Sequence, residues 1–351
     1  MNDSKSRDAA PSRSVLVTGG AGFIGSHLVE GLLARGDRVS VIDDLSTGRA
    51  ENLPEHSNLK FIHADLAAAL TEMERAPARP RFDEIYHLAA AVGVQRVVEK
   101  PVECIETNVF QTAALLRFAL AQATRGAAPR VLITSSSEVY GKSTKSPFRE
   151  DDDCVIGPTS ALRWSYACSK IIDEHLALAY HARSAFAVVV VRLFNTVGPR
   201  QVGEYGMVLP RFVADVIAGR SPRVFGDGRQ SRCFCDVRDV AGALPRLVGD
   251  PACAGGVFNL GSDEPTTIYD LAQTVIRVLK ADLRPVLVPY EEAYGPGFED
   301  LRQRRPDLTR VRQAIGYAPA IPLEQTILDI ADSLERTRAG RSRRSSSAIS
   351  A

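Results

Sequence analysis

The sequence has no charge excess and no long apolar segment, and both absences narrow its possible partners. Its 43 Lys and Arg residues and 42 Asp and Glu residues give a formal net charge of +1, so no overall electric field attracts nucleic acid or a membrane surface. The polar residues 1–13 lack the apolar core of a signal peptide, and no apolar run is long enough to span a bilayer. We therefore expect a cytoplasmic protein that binds neither nucleic acid nor membrane.

The six cysteines lack the spacing of a disulfide framework or a metal site. None forms a CxxC pair, and a chain of 351 residues is not a small domain that needs disulfides. Cys233 and Cys235 have the spacing that puts two side chains on one face of a strand, but no further ligand candidates lie near them in the sequence. We predict reduced thiols and no metal ion.

What the sequence does have is enough apolar material for a large core. Its 351 residues are 45% hydrophobic, which suits one large domain or two coupled ones. The first half alternates short apolar segments with helical patterns, and this alternation predicts a parallel sheet with helices on both faces. The predicted strands cover residues 14–18, 39–43, 60–64, 84–88, 130–135 and 186–193, and the predicted helices cover 23–35, 101–123 and 164–181.

After Gly198 the pattern becomes rich in Gly, Pro and Arg. Helices are predicted at 209–218 and 268–279, and residues 257–261 predict a strand that rejoins the first sheet. We therefore expect a smaller, discontinuous C-terminal α/β lobe, followed by a basic, Ser-rich tail that is disordered. The predicted units are a dinucleotide-binding domain of residues 14–197 and 236–262, a substrate lobe of residues 198–235 and 263–335, and disordered tails at 1–13 and 336–351.

A glycine motif of the form GxxGxxG lies between the first predicted strand and the first predicted helix. Gly19 permits a tight turn, Gly22 lets the backbone approach a pyrophosphate, and Gly25 lets the helix pack on the strand. The diphosphate would bind where the helix begins, at Phe23 and Ile24, because free N–H groups and the helix dipole favour anions there. The motif predicts a dinucleotide site.

Acidic residues at the ends of the next strands indicate which dinucleotide binds. Asp43 ends the second strand, where a carboxylate accepts hydrogen bonds from the ribose hydroxyls and repels a 2′-phosphate, so NAD is favoured over NADP. Asp65 ends the third strand and either meets the adenine or caps the helix that starts at Leu66; both roles remain open. The fourth strand ends in three further candidates for close approach to the cofactor, Leu88, Ala89 and Ala90.

Tyr166 and Lys170 form a YxxxK pair on a predicted helix. Residues four apart share one helix face and lie about 6 Å apart along the axis. Lowering a tyrosine pKa from about 10 to near 7 requires roughly 4 kcal/mol, which the lysine ammonium and an oxidised nicotinamide together could supply. Tyr166 would then take a proton from a substrate hydroxyl while hydride leaves for NAD. Ser136 ends the fifth strand, where open α/β sheets bind ligands, and its hydroxyl can hold the substrate oxygen.

These motifs together resemble the extended short-chain dehydrogenases/reductases that modify nucleotide sugars. The resemblance rests on TGGAGFIGSH, Asp43, HLAA, SSSEVYG, YACSK and RLFNTVGPR, and it spans residues 14–334. It implies a doubly wound Rossmann sheet, tightly bound NAD with Asn108 in its site, and a C-terminal lobe for the nucleotide sugar. It also implies a homodimer formed through the helices predicted at 101–123 and 164–181.

Three segments are similar to UDP-glucuronate decarboxylases and UDP-apiose/UDP-xylose synthases. Glu138 occupies a position where 4-epimerases usually have a small or hydroxyl residue, RWSYAC covers residues 163–168, and YGPGFED at 294–300 precedes Arg304. In such enzymes C4 oxidation makes a ketone β to the carboxylate, and CO₂ loss then gives an enolate. The resemblance implies that Tyr166 and Ser136 hold the oxyanion, while Glu138 and Arg304 orient the carboxylate and deliver the proton, in roles that stay open.

The resemblance also assigns substrate contacts and leaves alternatives. The implied substrate-binding residues are Ser137, Asn195, Val224, Phe225, Arg232 and Arg304. Apiose-forming enzymes have cysteines where this chain has Ser137 and Val92, and 4,6-dehydratases have an aspartate at position 137, so neither ring contraction nor water elimination is expected. Residues 91–96 are similar to uronate epimerases, which keeps a UDP-uronate or UDP-hexose 4-epimerase as an alternative. A non-catalytic NAD-binding sensor is the alternative from another class.

Overall fold

The structure of the protein is a computed structural model that describes residues 12–91, 99–183, 186–203, 207–294 and 302–348. The strands are β1 (Ser14–Thr18), β2 (Arg38–Asp43), β3 (Leu59–His63), β4 (Glu84–His87), β5 (Arg130–Ser136), β6 (Ala187–Leu193), β7 (Thr196–Val197), β8 (Arg223–Phe225), β9 (Ser231–Cys233), β10 (Cys235–Asp236), β11 (Val257–Leu260), β12 (Pro265–Thr267), β13 (Val286–Val288) and β14 (Gln303–Arg304). The helices are α1 (Phe23–Ala34), α2 (Leu66–Arg75), α3 (Pro101–Ala123), α4 (Ser165–Ala182), α5 (Val208–Ile217), α6 (Val237–Gly249), α7 (Ile268–Val278), α8 (Tyr290–Tyr294), α9 (Thr309–Ile315) and α10 (Leu323–Ala348).

Seven strands form one sheet in the order β11-β6-β5-β4-β1-β2-β3. Every neighbouring pair in this sheet is parallel. The chain builds the sheet outward from β1 through β2 and β3, then returns to the other side of β1 at β4. The order therefore reverses between β1 and β4, and the crevice at their carboxyl ends is where such sheets bind ligands. The predicted doubly wound parallel sheet is confirmed, and β11 rejoins it as expected.

Helices cover both faces of the sheet because each presents an apolar stripe to it. On one face Leu32 of α1 and Leu244 of α6 pack in a core that includes β1 and β2 side chains. On the other face Leu116 of α3 and Ala177 of α4 pack against a second core that includes Ile133 of β5. The two layers fix the positions of the strand ends, where the predicted site residues lie.

The C-terminal part has a core of its own. Phe212 of α5, Leu271 of α7 and Ile327 of α10 are fully buried in one cluster. Two small sheets, ordered β12-β9-β14 and β13-β8, accompany these helices. Cys233 and Cys235 were expected on one strand, but Cys233 ends β9 while Cys235 begins β10, which pairs with β7 instead. That expectation is wrong because the chain passes from one sheet to another between them.

Other departures from the predicted organisation concern helices. α6 was not predicted, and Pro245 lies inside it. The tail predicted as disordered from residue 336 instead continues α10 to Ala348, with no proline to interrupt the helix. Residues 1–11, 92–98 and 295–301, which include Val92 and most of the 294–300 signature, lie outside the described residues. The domain boundaries stay a prediction. Among the helices that the structure describes, none is both long and apolar enough to cross a membrane.

Candidate active site

The turn between β1 and α1 needs its glycines for steric reasons. Gly19 has a φ of +70°, and a Cβ atom there would lie 2.6 Å from the Ala89 backbone nitrogen. A Cβ on Gly25 would lie 2.1 Å from the Gly19 carbonyl oxygen. Gly22 is the N-terminal cap of α1, and no side chain makes a capping hydrogen bond there. The turn therefore brings the first strand, the first helix and β4 within backbone contact distance.

A cavity of about 350 Å³ opens at this turn. Its wall runs from the glycine turn along the ends of β2, β3 and β4 to α4. The sequence-predicted residues that line it are Gly19, Gly22, Phe23, Ile24, Gly25, Asp43, Asp65, Leu66, Leu88, Ala89, Ala90, Tyr166 and Lys170. Thr107, Gln111, Gln201, Val202 and Met207 also line it and were not predicted, because no motif in the sequence marks them.

Two of the acidic residues on the cavity wall, Asp43 and Asp65, are already held by backbone groups. Asp43 accepts hydrogen bonds from the Ala21 nitrogen and the Leu45 nitrogen, each at 2.9 Å. Burial raises the pKa of Asp43, and these two donors oppose the rise. Asp65 caps α2 by accepting from the Ala68 nitrogen at 3.0 Å. Because Asp65 also lines the cavity, the capping role and the adenine role are compatible.

Asn108 was predicted in the cofactor site, but it does not line the cavity. Its side chain is buried, and its oxygen accepts from the Ala91 nitrogen at 2.8 Å. Its nitrogen donates to the Ser169 hydroxyl at 3.0 Å. Asn108 thus joins α3 to α4 and to the segment that follows β4. We assign it a role in holding the cavity wall instead of contacting the cofactor.

Tyr166 and Lys170 reach the cavity from the first turns of α4, as the YxxxK spacing predicted. The Ser136 hydroxyl, at the end of β5, accepts a hydrogen bond from the Glu138 nitrogen at 3.2 Å. Burial raises the pKa of Tyr166, the Glu138 charge adds to the rise, and the nearby Ser136 hydroxyl opposes it. The Lys170 ammonium is 3.2 Å from Asp173, and both side chains are buried. This acid was not predicted.

Glu138 lies between two arginines beyond the end of β5. Its Oε1 atom is 2.5 Å from Arg304 Nη1, and its Oε2 atom is 3.5 Å from Arg163 Nη2. Arg304 on β14 is paired in register with Arg232 on β9. Burial would raise the pKa of Glu138, but Arg304, Arg163 and Arg232 lower it below the usual range. Glu138 and Arg304 are thus brought together; Arg163 was missed as a site residue, although its RWSYAC segment was noted.

The remaining predicted substrate residues are not part of the cavity wall. Val224 is fully buried in the core of the C-terminal lobe, so a contact with the substrate would have to come from its backbone, and its predicted role stays a prediction. Phe225 is half-buried, with the Arg211 guanidinium 4.1 Å from the centre of its ring. Asn195 donates to the Cys233 carbonyl oxygen at 3.5 Å, and Ser137 is buried.

A family model described as the NAD dependent epimerase/dehydratase family matches residues 15–261. The chain belongs to this family. It is therefore an NAD-dependent enzyme, the predicted family resemblance is confirmed, and the sensor alternative is not retained. The steric demands of Gly19 and Gly25 and the acidic end of β2 fit the dinucleotide, whose diphosphate would lie at the start of α1.

Two relatives of this chain are named as decarboxylases. The UDP-N-acetyl-alpha-D-glucosaminuronate decarboxylase of Bacillus cytotoxicus is 38% identical over 312 residues, which cover 88% of this chain and 94% of the relative. UDP-glucuronic acid decarboxylase 4 of Arabidopsis thaliana is 35% identical over 314 residues, which cover 89% of this chain and 66% of the relative.

A solved structure in the same comparison is an epimerase. The UDP-glucose 4-epimerase of Thermus thermophilus, in complex with NAD, superposes with a TM-score of 0.78 at 29% identity. The match covers 92% of this chain and 99% of that structure. The similarity extends through the C-terminal lobe, beyond the residues that the family model matches.

Proposed function

We propose that this enzyme is a UDP-glucuronate decarboxylase that forms UDP-xylose through a 4-keto intermediate. The observation that carries the proposal is the Glu138 carboxylate between Arg304 and Arg163, near the half-buried Tyr166 phenol. Paired arginines are the usual protein group for binding a carboxylate. The two relatives named as decarboxylases support it.

The first chemical task at this site is removal of a proton from the sugar C4 hydroxyl. NAD, when bound, takes hydride from C4 and later returns it. Tyr166 is the base, and Ser136, whose hydroxyl favours the ionised phenol, holds the same substrate oxygen. The resulting ketone is β to the sugar carboxylate. When CO₂ leaves, the electron pair moves onto the C4 oxygen, and Tyr166 with Ser136 stabilises that oxyanion.

The second task is to hold the carboxylate and return a proton to C5. Arg304 and Arg163 are the cations available for the carboxylate, and Arg232 extends the positive field toward the substrate lobe. Because the arginines keep the pKa of Glu138 below its usual range, Glu138 is ionised near neutral pH. We therefore assign Glu138 to orienting the arginines, and proton return to C5 then needs water or a proton passed through Glu138.

Incubation of the purified protein with UDP-glucuronate tests this function. The expected product, read by mass spectrometry, has lost the mass of CO₂, and a labelled carboxyl carbon should appear as gas. UDP-N-acetylglucosaminuronate, the substrate in the name of the Bacillus relative, belongs in the same panel. A product of unchanged mass from UDP-glucuronate overturns the decarboxylase proposal and supports a 4-epimerase, which the Thermus structure favours.

We also propose a homodimer formed through α3 and α4. These helices pack on the same face of the sheet and on each other. Their outer surfaces carry large apolar side chains in solvent, with Val102 64%, Phe110 62% and Ile172 47% exposed. A second copy of the same helix pair would cover this surface by a twofold arrangement.

A further inference from the structure

A carboxylate that no motif singled out lies next to Lys170. Asp173 is one turn further along α4, and its Oδ2 atom is 3.2 Å from the Lys170 Nζ atom. The Asp173 side chain is fully buried, and the Lys170 side chain is 2% exposed. Solvent therefore screens this ion pair poorly, and its charges act strongly on neighbouring groups.

Asp173 is one end of a buried polar chain that reaches β1. Thr112 of α3 favours the ionised form of Asp173, and its hydroxyl is 3.1 Å from the His87 Nε2 atom. The Nδ1 atom of His87 is 2.7 Å from the Thr18 hydroxyl. Burial and the Lys170 charge lower the pKa of His87 to about 3. The imidazole is therefore neutral and adds no positive charge to the ion pair.

One carboxylate oxygen of Asp173 lacks a stabilising hydrogen bond. The Oδ1 atom is buried and has no hydrogen-bond partner among the described residues. A buried polar atom without a partner is unfavourable by about 1–3 kcal/mol. Burial raises the pKa of Asp173, while the Lys170 ammonium and Thr112 favour the ionised form. Because this free energy opposes folding, we expect the buried charge of Asp173 to serve the electrostatics of the site instead of its stability.

The groups that face the Tyr166 phenol define what that role is. Besides burial, the negative charges of Glu138 and Asp173 oppose ionisation of the phenol, whereas the Ser136 hydroxyl favours it. Glu174, the other acid beside Asp173, is paired with Arg192. The positive charge of Lys170, which lines the same cavity as Tyr166, would favour the phenolate, and Asp173 lies 3.2 Å from that ammonium.

We propose that Asp173 is a positioning residue that holds the Lys170 ammonium and offsets its charge, so that Tyr166 keeps its proton until NAD is bound. When NAD is bound, the positive charge of its oxidised nicotinamide would favour the phenolate. Because Asp173 offsets the Lys170 charge, the strength of the base would depend on the oxidation state of the cofactor. The inference rests on the proposed role of Tyr166 as base and is independent of the identity of the sugar.

Asp173→Asn tests this role because it keeps the shape of the side chain and removes its charge. Titration of the NAD-loaded protein by tyrosinate ultraviolet absorbance, with the Tyr166→Phe titration subtracted, isolates the Tyr166 midpoint. Removing a nearby negative charge favours the phenolate, so we expect the midpoint to fall by about one pH unit. The acid limb of NADH formation against pH should move down with it, because the base works only when deprotonated.

The controls separate this role from a structural one. Asp173→Glu, which restores the charge, should return the midpoint to the wild-type value. If Asp173 served only to keep Lys170 in place, its loss would raise the Tyr166 midpoint or leave it unchanged, and either result overturns the proposal. Failure of the decarboxylase proposal would instead appear as no CO₂ release by the wild-type protein, with the titration shift intact.

A second variant covers the case in which Asp173→Asn does not fold. Asp173→Ser also removes the negative charge and leaves a smaller side chain beside Lys170. The Tyr166 midpoint should then fall in the same direction. An unchanged midpoint in a folded Asp173→Ser protein contradicts the proposed coupling.

Discussion

Tyr166 is a residue at which chemistry and folding can be separated. Tyr166→Phe removes the phenol oxygen, so turnover of UDP-glucuronate should fall by about 10²–10⁴-fold, the usual contribution of a general base. Loss of one hydrogen-bonding group changes stability by only about 1 kcal/mol, so the unfolding midpoint and NAD binding should change little. Product formation, thermal unfolding and cofactor titration check the three expectations. Near-normal turnover would remove Tyr166 as the base.

Glu138 is the residue that should distinguish the two proposed reactions. Glu138→Ser places a hydroxyl where epimerases of the resembled family have one, and it leaves Arg304 and Arg163 without their shared anion. We expect CO₂ release to be lost while C4 oxidation persists, so that NADH absorbance accumulates. Glu55→Ser, at an exposed position, is the matched control and should behave as wild type. Unchanged CO₂ release from Glu138→Ser contradicts the assigned role.

The residues of the site were predictable where a local motif fixes their position. The glycine turn, Asp43 and the YxxxK pair all line one cavity as the sequence indicated. Asp173 and Arg163 were not recognised because their roles depend on contacts in the folded chain. Asp173 contacts Lys170, and Arg163 contacts Glu138, which lies 25 positions away in the sequence. The burial of Val224 could not be predicted because it depends on how the small sheets pack in the C-terminal lobe.

At the scale of the single element, α1 offers a matched pair of substitutions. A Cβ on Gly25 would lie 2.1 Å from the Gly19 carbonyl oxygen, whereas a Cβ on Gly31 would meet nothing within 4 Å. Gly25→Ala should therefore weaken NAD binding and destabilise the protein by about 1–3 kcal/mol. Gly31→Ala, inside the same helix, should stabilise it by about 0.5–1 kcal/mol. Urea unfolding and NAD titration of both variants give the comparison, and equal behaviour contradicts the steric argument.

The strands of the first sheet were predicted to within one or two residues, because burial makes strands such as β1, β5 and β6 mostly apolar. The short strands of the lobe were not, since β7, β10 and β14 have two residues each and exist only through pairing with distant partners. α6 was not predicted because Pro245, which lies inside it, disfavours a helix when only the sequence is considered. Tertiary packing against α1 outweighs that local preference.

For the whole molecule, the exposed apolar surface of α3 and α4 predicts the oligomeric state. Phe110→Glu puts a charge at the proposed twofold contact, so a dimer in solution should become a monomer with the same fold. Leu287→Glu is the control, since Leu287 is 53% exposed on the distant strand β13. Sedimentation velocity and circular dichroism of both variants check the expectation. A wild-type protein that sediments as a monomer would end the proposal.

The contact between Arg304 and Glu138 joins β14, in the C-terminal part of the chain, to the segment that follows β5 of the large sheet. The acid follows a strand of the large sheet, whereas the arginine arrives 166 positions later, as the difference of the two residue numbers shows, on a strand of the substrate lobe. A fragment that stopped at residue 261, where the family model ends, would keep the dinucleotide turn and the phenol yet lose this partner. We expect such a fragment to keep the groups proposed for C4 oxidation and to lack Arg304, which we propose binds the sugar carboxylate. The C-terminal part of the chain would then determine which reaction follows oxidation.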